Sequence, residues 1–375
     1  MTSASRRAYI DWARGIAVLM MIEAHTTDAW TRAIEKRSVA YRDANIIGGF
    51  AAPMFLWLAG LAVVLSATRT AERTGSRAPA AAAIVRRGLE IFILAFLFRI
   101  QAFIVSPGND LVTLFRVDIL NIMGPSIAAA GVVWALAADA PGRVALFAVL
   151  ATACSMLTPI VRASPVFDRW PVWVQWYLRP AGDLTVFTLL PWAAFVFAGG
   201  AVGALLATAR DQRAERRVQA ALALAGVALV ALGFYTAGRP SIYQVSSFWT
   251  SSPTWFAIRV GVLMVAVSAV FAASLISRAN TRTRNHNRLF RAFVLSWQAP
   301  LARLGRSSLF IYWIHVELVY GYATWLIRGR LPLWGVVAAF AAFSAAMYGA
   351  IVLRDRLVDG WRIRRLRQTT QTATV

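Results

Sequence analysis

Nearly uncharged runs of about 20 residues recur through this 375-residue chain, at about 9–26, 46–66, 88–105, 117–138, 144–161, 184–209, 218–237, 253–277, 307–327 and 331–353. Each is about the length that carries a helix across the hydrocarbon of a bilayer. Inside lipid every backbone N–H and C=O must be satisfied within the segment or by a closed barrel, and these runs are too long and too evenly apolar for barrel strands. The expected fold is therefore all-α, a polytopic bundle of about ten transmembrane helices. A content of 59% hydrophobic residues with only 15% charged excludes a soluble globular domain. The one cysteine, Cys154, lies within an apolar run, so neither an internal disulfide framework nor a cysteine-based zinc site is available, and no metal site is expected.

The net charge of +22 would ordinarily suggest nucleic acid, but the basic residues, all arginine except Lys36, sit in short clusters between the apolar runs. If the N-terminus is cytoplasmic, the ten-span arrangement places 25 basic residues inside and 11 outside, with Arg14, Arg99 and Arg259 within spans. The positive-inside rule then puts both termini in the cytoplasm and the bundle in the plasma (inner) membrane. Most of the arginine is thereby read as a topology signal facing an anionic leaflet, and no nucleic-acid partner is expected. The start of the chain is read as a retained first span rather than a signal peptide, because Asp11 and Arg14 interrupt its apolar core. Residues 1–375 are expected to form one integral-membrane domain with a basic cytoplasmic tail at 354–375. His286 falls in a basic stretch and is expected to be solvated.

A charge in hydrocarbon costs at least ~2.5 kcal/mol, so ionisable groups within spans are candidates for function. They are Arg14, Glu23, His25, Glu90, Arg99, Asp118, Arg259, His315 and Glu317. At about 1.5 Å per residue, His25, Arg99, Asp118 and Arg259 fall in an outer layer, whereas His315 and Glu317 come out near the middle of theirs. Arg14 and His25 are separated by 11 residues, which returns to within about 20° of one helix face while rising ~16 Å. That face offers a cation near the cytoplasm and an imidazole near the outside, which suits a long ligand with an anionic head. Asp11, three residues before Arg14, can pair with it. Trp170, Trp173 and Trp176 read as an interfacial aromatic belt or as a platform on which sugar rings stack.

Three ordered stretches resemble the multi-spanning membrane acyltransferase superfamily, which includes the acyltransferase family 3 O-acetylases and the heparan-α-glucosaminide N-acetyltransferase catalytic-domain group. They are YIDWARGIAVLMMIEAH, with the Arg14 to His25 spacing; GGFAAPMFLWLAG at 48–60; and LARLGRSSLFIYWIHVEL at 301–318, with Gly305, Ser308, Tyr312 and His315 in matching positions. RVDILNIMG at 116–124 is similar to the fourth span of the heparan-type group. The heparan-type catalytic histidine lies in the outer loop after the first span, and residues 26–46 here contain no histidine. The resemblance therefore implies that His25 is the catalytic base. It implies an acyl-CoA, acetyl-CoA above all, as co-substrate with no tightly bound cofactor. The nucleotide would be held at the inner face by Arg14, Arg86, Arg87, Arg303 and Arg306, and the acyl group would pass to a hydroxyl or amine of an extracytoplasmic glycan or glycolipid. Asp118 would orient the imidazole, Arg99 or Arg259 would stabilise the thioester oxyanion, and Asp11, Ser308, Tyr312, His315 and Glu317 would be secondary polar or packing residues.

Two other classes compete: a secondary transporter with an intramembrane His/Arg/Glu relay, and a non-catalytic subunit of an envelope assembly. Neither direct transfer nor an acyl-histidine intermediate is favoured by the sequence, and assembly as a homodimer is left open. The orientation is testable directly, since reporter fusions after residue 170 should score as outside and those after residue 212 as inside.

Overall fold

The computed structural model describes residues 7–105, 110–182, 185, 187–282 and 288–372; His286 lies outside them. Thirteen α-helices follow one another: α1 Ala8–Trp30, α2 Val39–Gly48, α3 Ala51–Thr74, α4 Arg77–Val105, α5 Ile119–Leu136, α6 Ala140–Ala163, α7 Val172–Leu178, α8 Leu189–Ala207, α9 Gln212–Ala237, α10 Pro253–Arg282, α11 Arg288–Arg306, α12 Ser308–Tyr320 and α13 Leu333–Thr372. No strand occurs among the described residues, so the fold is an all-α helix bundle. Eight of its segments are long and apolar enough to cross a membrane. Two expected spans need qualification. The first, α1, is long enough at 23 residues but carries Asp11, Arg14, Glu23 and Asp28. The ninth, expected at 307–327, ends its α-helix at Tyr320, where Gly321 turns extended and a 3₁₀ turn, Tyr322–Ile327, follows. Thirteen residues rise only ~20 Å, short of the ~30 Å of hydrocarbon.

The basic stretch 278–306, expected as an inner loop, contains α11, and the expected tail at 354–375 continues α13 without a break to Thr372. Clustered arginine conceals these helices from a hydropathy reading, yet arginine is a good helix former.

The chain forms two compact units. One comprises residues 1–51 and 279–375, the other 52–278. In the first, α1 and α11 cross at van der Waals range because both present glycine. A Cβ on Gly15 would stand 2.2 Å from the carbonyl oxygen of Leu301, and one on Gly305 would stand 2.0 Å from that of Asp11. Small residues allow this backbone approach, the usual device where lipid offers no hydrophobic drive between helices. The far end of α1 is fastened to residues 329–333: the amides of Gly329 and Leu331 donate to the carbonyls of Ala29 and Trp30, both at 2.9 Å, and the amide of Arg32 donates to that of Leu331 at 3.0 Å. Trp30 fills the space beneath, packed on Val319, Val336 and Phe343.

The second unit uses the same device. A Cβ on Gly60 of α3 would meet the carbonyl oxygen of Val196 in α8 at 1.9 Å, and one on Gly88 of α4 would meet the carbonyl oxygen of Gly124 in α5 at 2.6 Å. Trp57, Trp134, Phe147 and Phe195 fill its interior. Asp118 starts α5 with a capping box, its carboxylate accepting from the first turn while Asn121 accepts from the amide of Asp118 at 3.0 Å.

Gly15→Val should therefore force α1 from α11. Overpacking of this kind costs about 1–3 kcal/mol, and melting of the detergent-solubilised protein should fall accordingly. Gly349→Ala, where a Cβ meets nothing within 4 Å, should leave the melting temperature in place.

Candidate active site

The Arg14 to His25 face of α1 lies wholly in the first unit, and the crossing with α11 and the fastening at 329–333 fix both of its ends. Around His25 the structure assembles more than spacing predicts. Nδ1 of His25 is 3.1 Å from the phenol oxygen of Tyr320. That phenol donates to Oδ2 of Asp28 at 2.8 Å, and the Tyr320 ring meets the His25 ring edge-on at 5.5 Å. Since the phenol proton points to Asp28, Nδ1 of His25 is the donor to Tyr320, which leaves the lone pair on Nε2. Asp28, one turn beyond His25, is exposed and is also approached by Lys36 at 3.7 Å.

His315 completes the group. Its ring centre is 5.2 Å from that of His25, its side chain is fully buried, and Nδ1 lies 2.8 and 3.1 Å from the carbonyl oxygens of Ile311 and Tyr312. Two acceptors at Nδ1 put a proton there and the lone pair on Nε2 here as well. The expectation that His315 lies at a different depth from His25 is thus corrected. It rested on a helix running to 327, whereas α12 ends at 320 and brings His315 within five residues of that end. Tyr312 packs its ring 6.0 Å from His315, Glu317 is half-buried on the same helix, and Ser308 opens the helix just after Ser307, whose hydroxyl accepts from Arg354 at 2.8 Å.

At the opposite end of the α1 face, Arg14 stands 4.0 Å from Asp11, beside Gly305. Arg303 directs Nε and Nη2 to Oδ2 of Asp355 at 2.9 and 2.8 Å, while Arg306 is exposed. Arg14, Arg303 and Arg306 therefore gather at one end of the first unit.

The remaining expected residues belong to the second unit. Arg99 donates from Nη2 to Oδ2 of Asp118 at 2.5 Å, so the groups assigned separately to oxyanion and imidazole form one ion pair. Arg259 is buried with its guanidinium 4.5 Å from the centre of the Trp255 ring. Arg86 and Arg87 are exposed and share Glu90, at 3.7 and 3.2 Å. Of the three tryptophans, Trp170 and Trp173 are exposed, whereas Trp176 is 2% exposed, packed with Val117 and Ile122, and donates to the carbonyl of Ala181 at 2.8 Å. Trp176 therefore lies off the surface on which a sugar would stack.

Tyr320 and Asp28 escaped the sequence reading. Asp28 was legible as the i+3 neighbour of His25, but Tyr320 lies 295 residues away and read as one aromatic among many in an apolar run.

Comparison with known proteins adds one match. The family described as heparan-alpha-glucosaminide N-acetyltransferase, catalytic, matches residues 6–240, a stretch that includes Arg14, His25, Arg99 and Asp118 and stops short of Arg259 and His315. A search of curated proteins found no match.

The fastening beside this site carries a pH dependence. The carboxylate of Glu35 accepts from the amide of Leu333 at 2.5 Å and from Nε of Arg32 at 2.9 Å. These contacts, the Leu333 amide foremost, hold the Glu35 carboxyl below its ordinary value of 4.5. A lowered folded-state value means the contribution is complete above about pH 4.5 and is lost as pH falls through the lowered value. Glu35→Gln should melt below the native protein at pH 7, and the gap should close as the pH falls through the lowered value, as a series of melting curves would record.

Proposed function

Because the chain belongs to the heparan-α-glucosaminide N-acetyltransferase catalytic family, a family of membrane acetyltransferases, we propose that it moves an acetyl group from cytoplasmic acyl-CoA to a hydroxyl or amine of an extracytoplasmic glycan or glycolipid. The observation that carries this reading is the chain of hydrogen bonds from His25 through Tyr320 to Asp28, at 3.1 and 2.8 Å.

In this reading Nε2 of His25 takes the proton of the acceptor O–H or N–H as the acceptor oxygen or nitrogen attacks the thioester carbonyl. The C–S bond breaks as the tetrahedral intermediate collapses, and the CoA sulfur leaves with the proton returned from His25. The imidazolium formed in between is stabilised through Tyr320 by the exposed Asp28 carboxylate, which orients the ring as the acid of a catalytic triad does but with its charge screened by solvent. His315, with its lone pair on Nε2 beside His25, serves to position that ring or to pass on its proton. An acyl-imidazole on His25, later attacked by the acceptor, is the covalent variant of the same chemistry. Arg14, Arg303 and Arg306 supply cations for the CoA phosphates at the far end of the α1 face, ~16 Å from His25 along the helix.

Transfer from radiolabelled acetyl-CoA to candidate glycans tests the proposal. His25→Ala should lower the rate by ~10²-fold or more while acyl-CoA binding stays within a few fold. Tyr320→Phe keeps the ring packing and removes the relay, and should cost about tenfold, the order of one charge-assisted hydrogen bond. Arg14→Ala should instead weaken donor binding by ~1.5 to 3 kcal/mol. Retention of more than about a tenth of the native rate by His25→Ala would overturn the assignment.

A further inference from the structure

The second unit holds a cavity of about 240 Å³ that plays no part in the chemistry above. It lies where α6 ends, on the side that the arginine distribution assigns to the outside, and is closed by the segment between α9 and α10. Arg162, Val245, Ser246, Ser247, Thr250 and Ser251 line it, with Pro159 and Ala163 at its base. Tyr243 holds the covering segment in place by donating to the carbonyl of Met156 in α6 at 2.8 Å.

Its charge is unbalanced. Arg162 donates from Nη2 to the hydroxyl of Thr188 at 2.9 Å and to the carbonyl of Leu190 at 3.4 Å. Its Nε is buried and has no hydrogen-bond partner among the described residues, and it forms no ion pair with a carboxylate among them. A half-buried guanidinium with no anion among the described residues is costly, and the hydroxyls around it can accept from it but carry no charge to balance its own. The hydroxyl of Ser251 is engaged by the amide of Ser247 at 2.9 Å, while the side chains of Ser246 and Thr250 are exposed at the rim. An oxyanion supplies what this lining lacks, since a phosphate accepts both from an arginine fork and from several hydroxyls at once. At ~30 Å³ per water, the cavity has room for a polar headgroup, and it is smaller than the ~300 Å³ at which pockets for whole drug-sized ligands begin.

The surroundings say where that phosphate comes from. Val149, Met156 and Ile160 are exposed along one face of α6, at spacings of seven and four residues that form a single stripe leading to the turn of Arg162. Val245 and Trp249 are exposed on the covering segment. An apolar stripe ending at a cation with no carboxylate partner among the described residues, beside several hydroxyls, matches an amphiphile, with acyl chains along α6 and the head in the cavity.

We propose that this cavity binds the phosphate headgroup of a lipid in the outer leaflet, with Arg162 as its counter-ion. The site stands apart from the acyl-transfer reading, and binding rather than turnover tests it. The full-length protein in neutral detergent is titrated with dioctanoylglycerol phosphate, with dioctanoylglycerol and with inorganic phosphate. The phosphorylated lipid should bind at least tenfold more tightly than either of the others. Arg162→Gln should remove that preference and Arg162→Lys should keep part of it. Ser246→Asp, which sets a like charge at the exposed rim and leaves the contacts of Arg162 with Thr188 and Leu190 intact, should weaken the phosphorylated lipid by tenfold or more. Equal binding of the unphosphorylated lipid would overturn the proposal, as would inorganic phosphate binding as tightly as the lipid. So would unchanged affinity in Ser246→Asp, which decides the matter if Arg162→Gln does not fold.

Discussion

An ionisable side chain among membrane helices is costly unless a neighbouring helix supplies a counter-group, because hydrocarbon offers no water to do so. Arg99 of α4 meets Asp118 at the start of α5 in this way and His25 of α1 meets Tyr320 of α12, while Arg303 of α11 meets Asp355 of α13 at a partly exposed end. Each pairing demands that its helices approach closely and in one register. The glycine crossings provide the approach, Gly88 with Gly124 for the first pair and Gly15 with Gly305 at the root of α1 for the rest of that unit. Polar function and helix packing are in this sense one problem with one solution. A side chain larger than hydrogen at a crossing would move charges apart many ångströms away.

The same rule explains what spacing could and could not reveal. Apolar runs set the helices because bilayer thickness sets their length, and eight of the ten runs became segments long enough to span. The relation of Arg14 to His25 was legible because a helix converts sequence distance into direction. Nothing local marks Tyr320, whose partner is 295 residues away, nor does a hydropathy reading notice that Gly321 ends α12 seven residues early. That early end lifts His315 to the level of His25 and turns two separately placed histidines into neighbours. Helix α11 escaped for a different reason: its arginines read as topology signal, although arginine favours the helix that carries them.

Placing His25 beside a tyrosine that itself leans on a carboxylate also sets how the imidazole behaves. With Nδ1 committed to the phenol, the tautomer is fixed and Nε2 is the basic edge. Asp28 is exposed and shares Lys36, so the relay opens toward solvent rather than ending in the core. A proton held transiently on the ring thus has a route along which its charge is moderated.

The unit that holds His25 is made from two separate stretches, with residues 52–278 synthesised between them. At ~5–20 residues per second, the partner of His25 emerges roughly 15 to 60 s after it. Throughout that interval α1 must reside in the membrane with Asp11, Arg14, Glu23 and His25 lacking α11 and α12, and Gly15 facing no neighbour. The first helix is therefore the natural client of whatever shelters polar segments during insertion, and the surroundings of His25 are assembled only after residues 52–278 have been made.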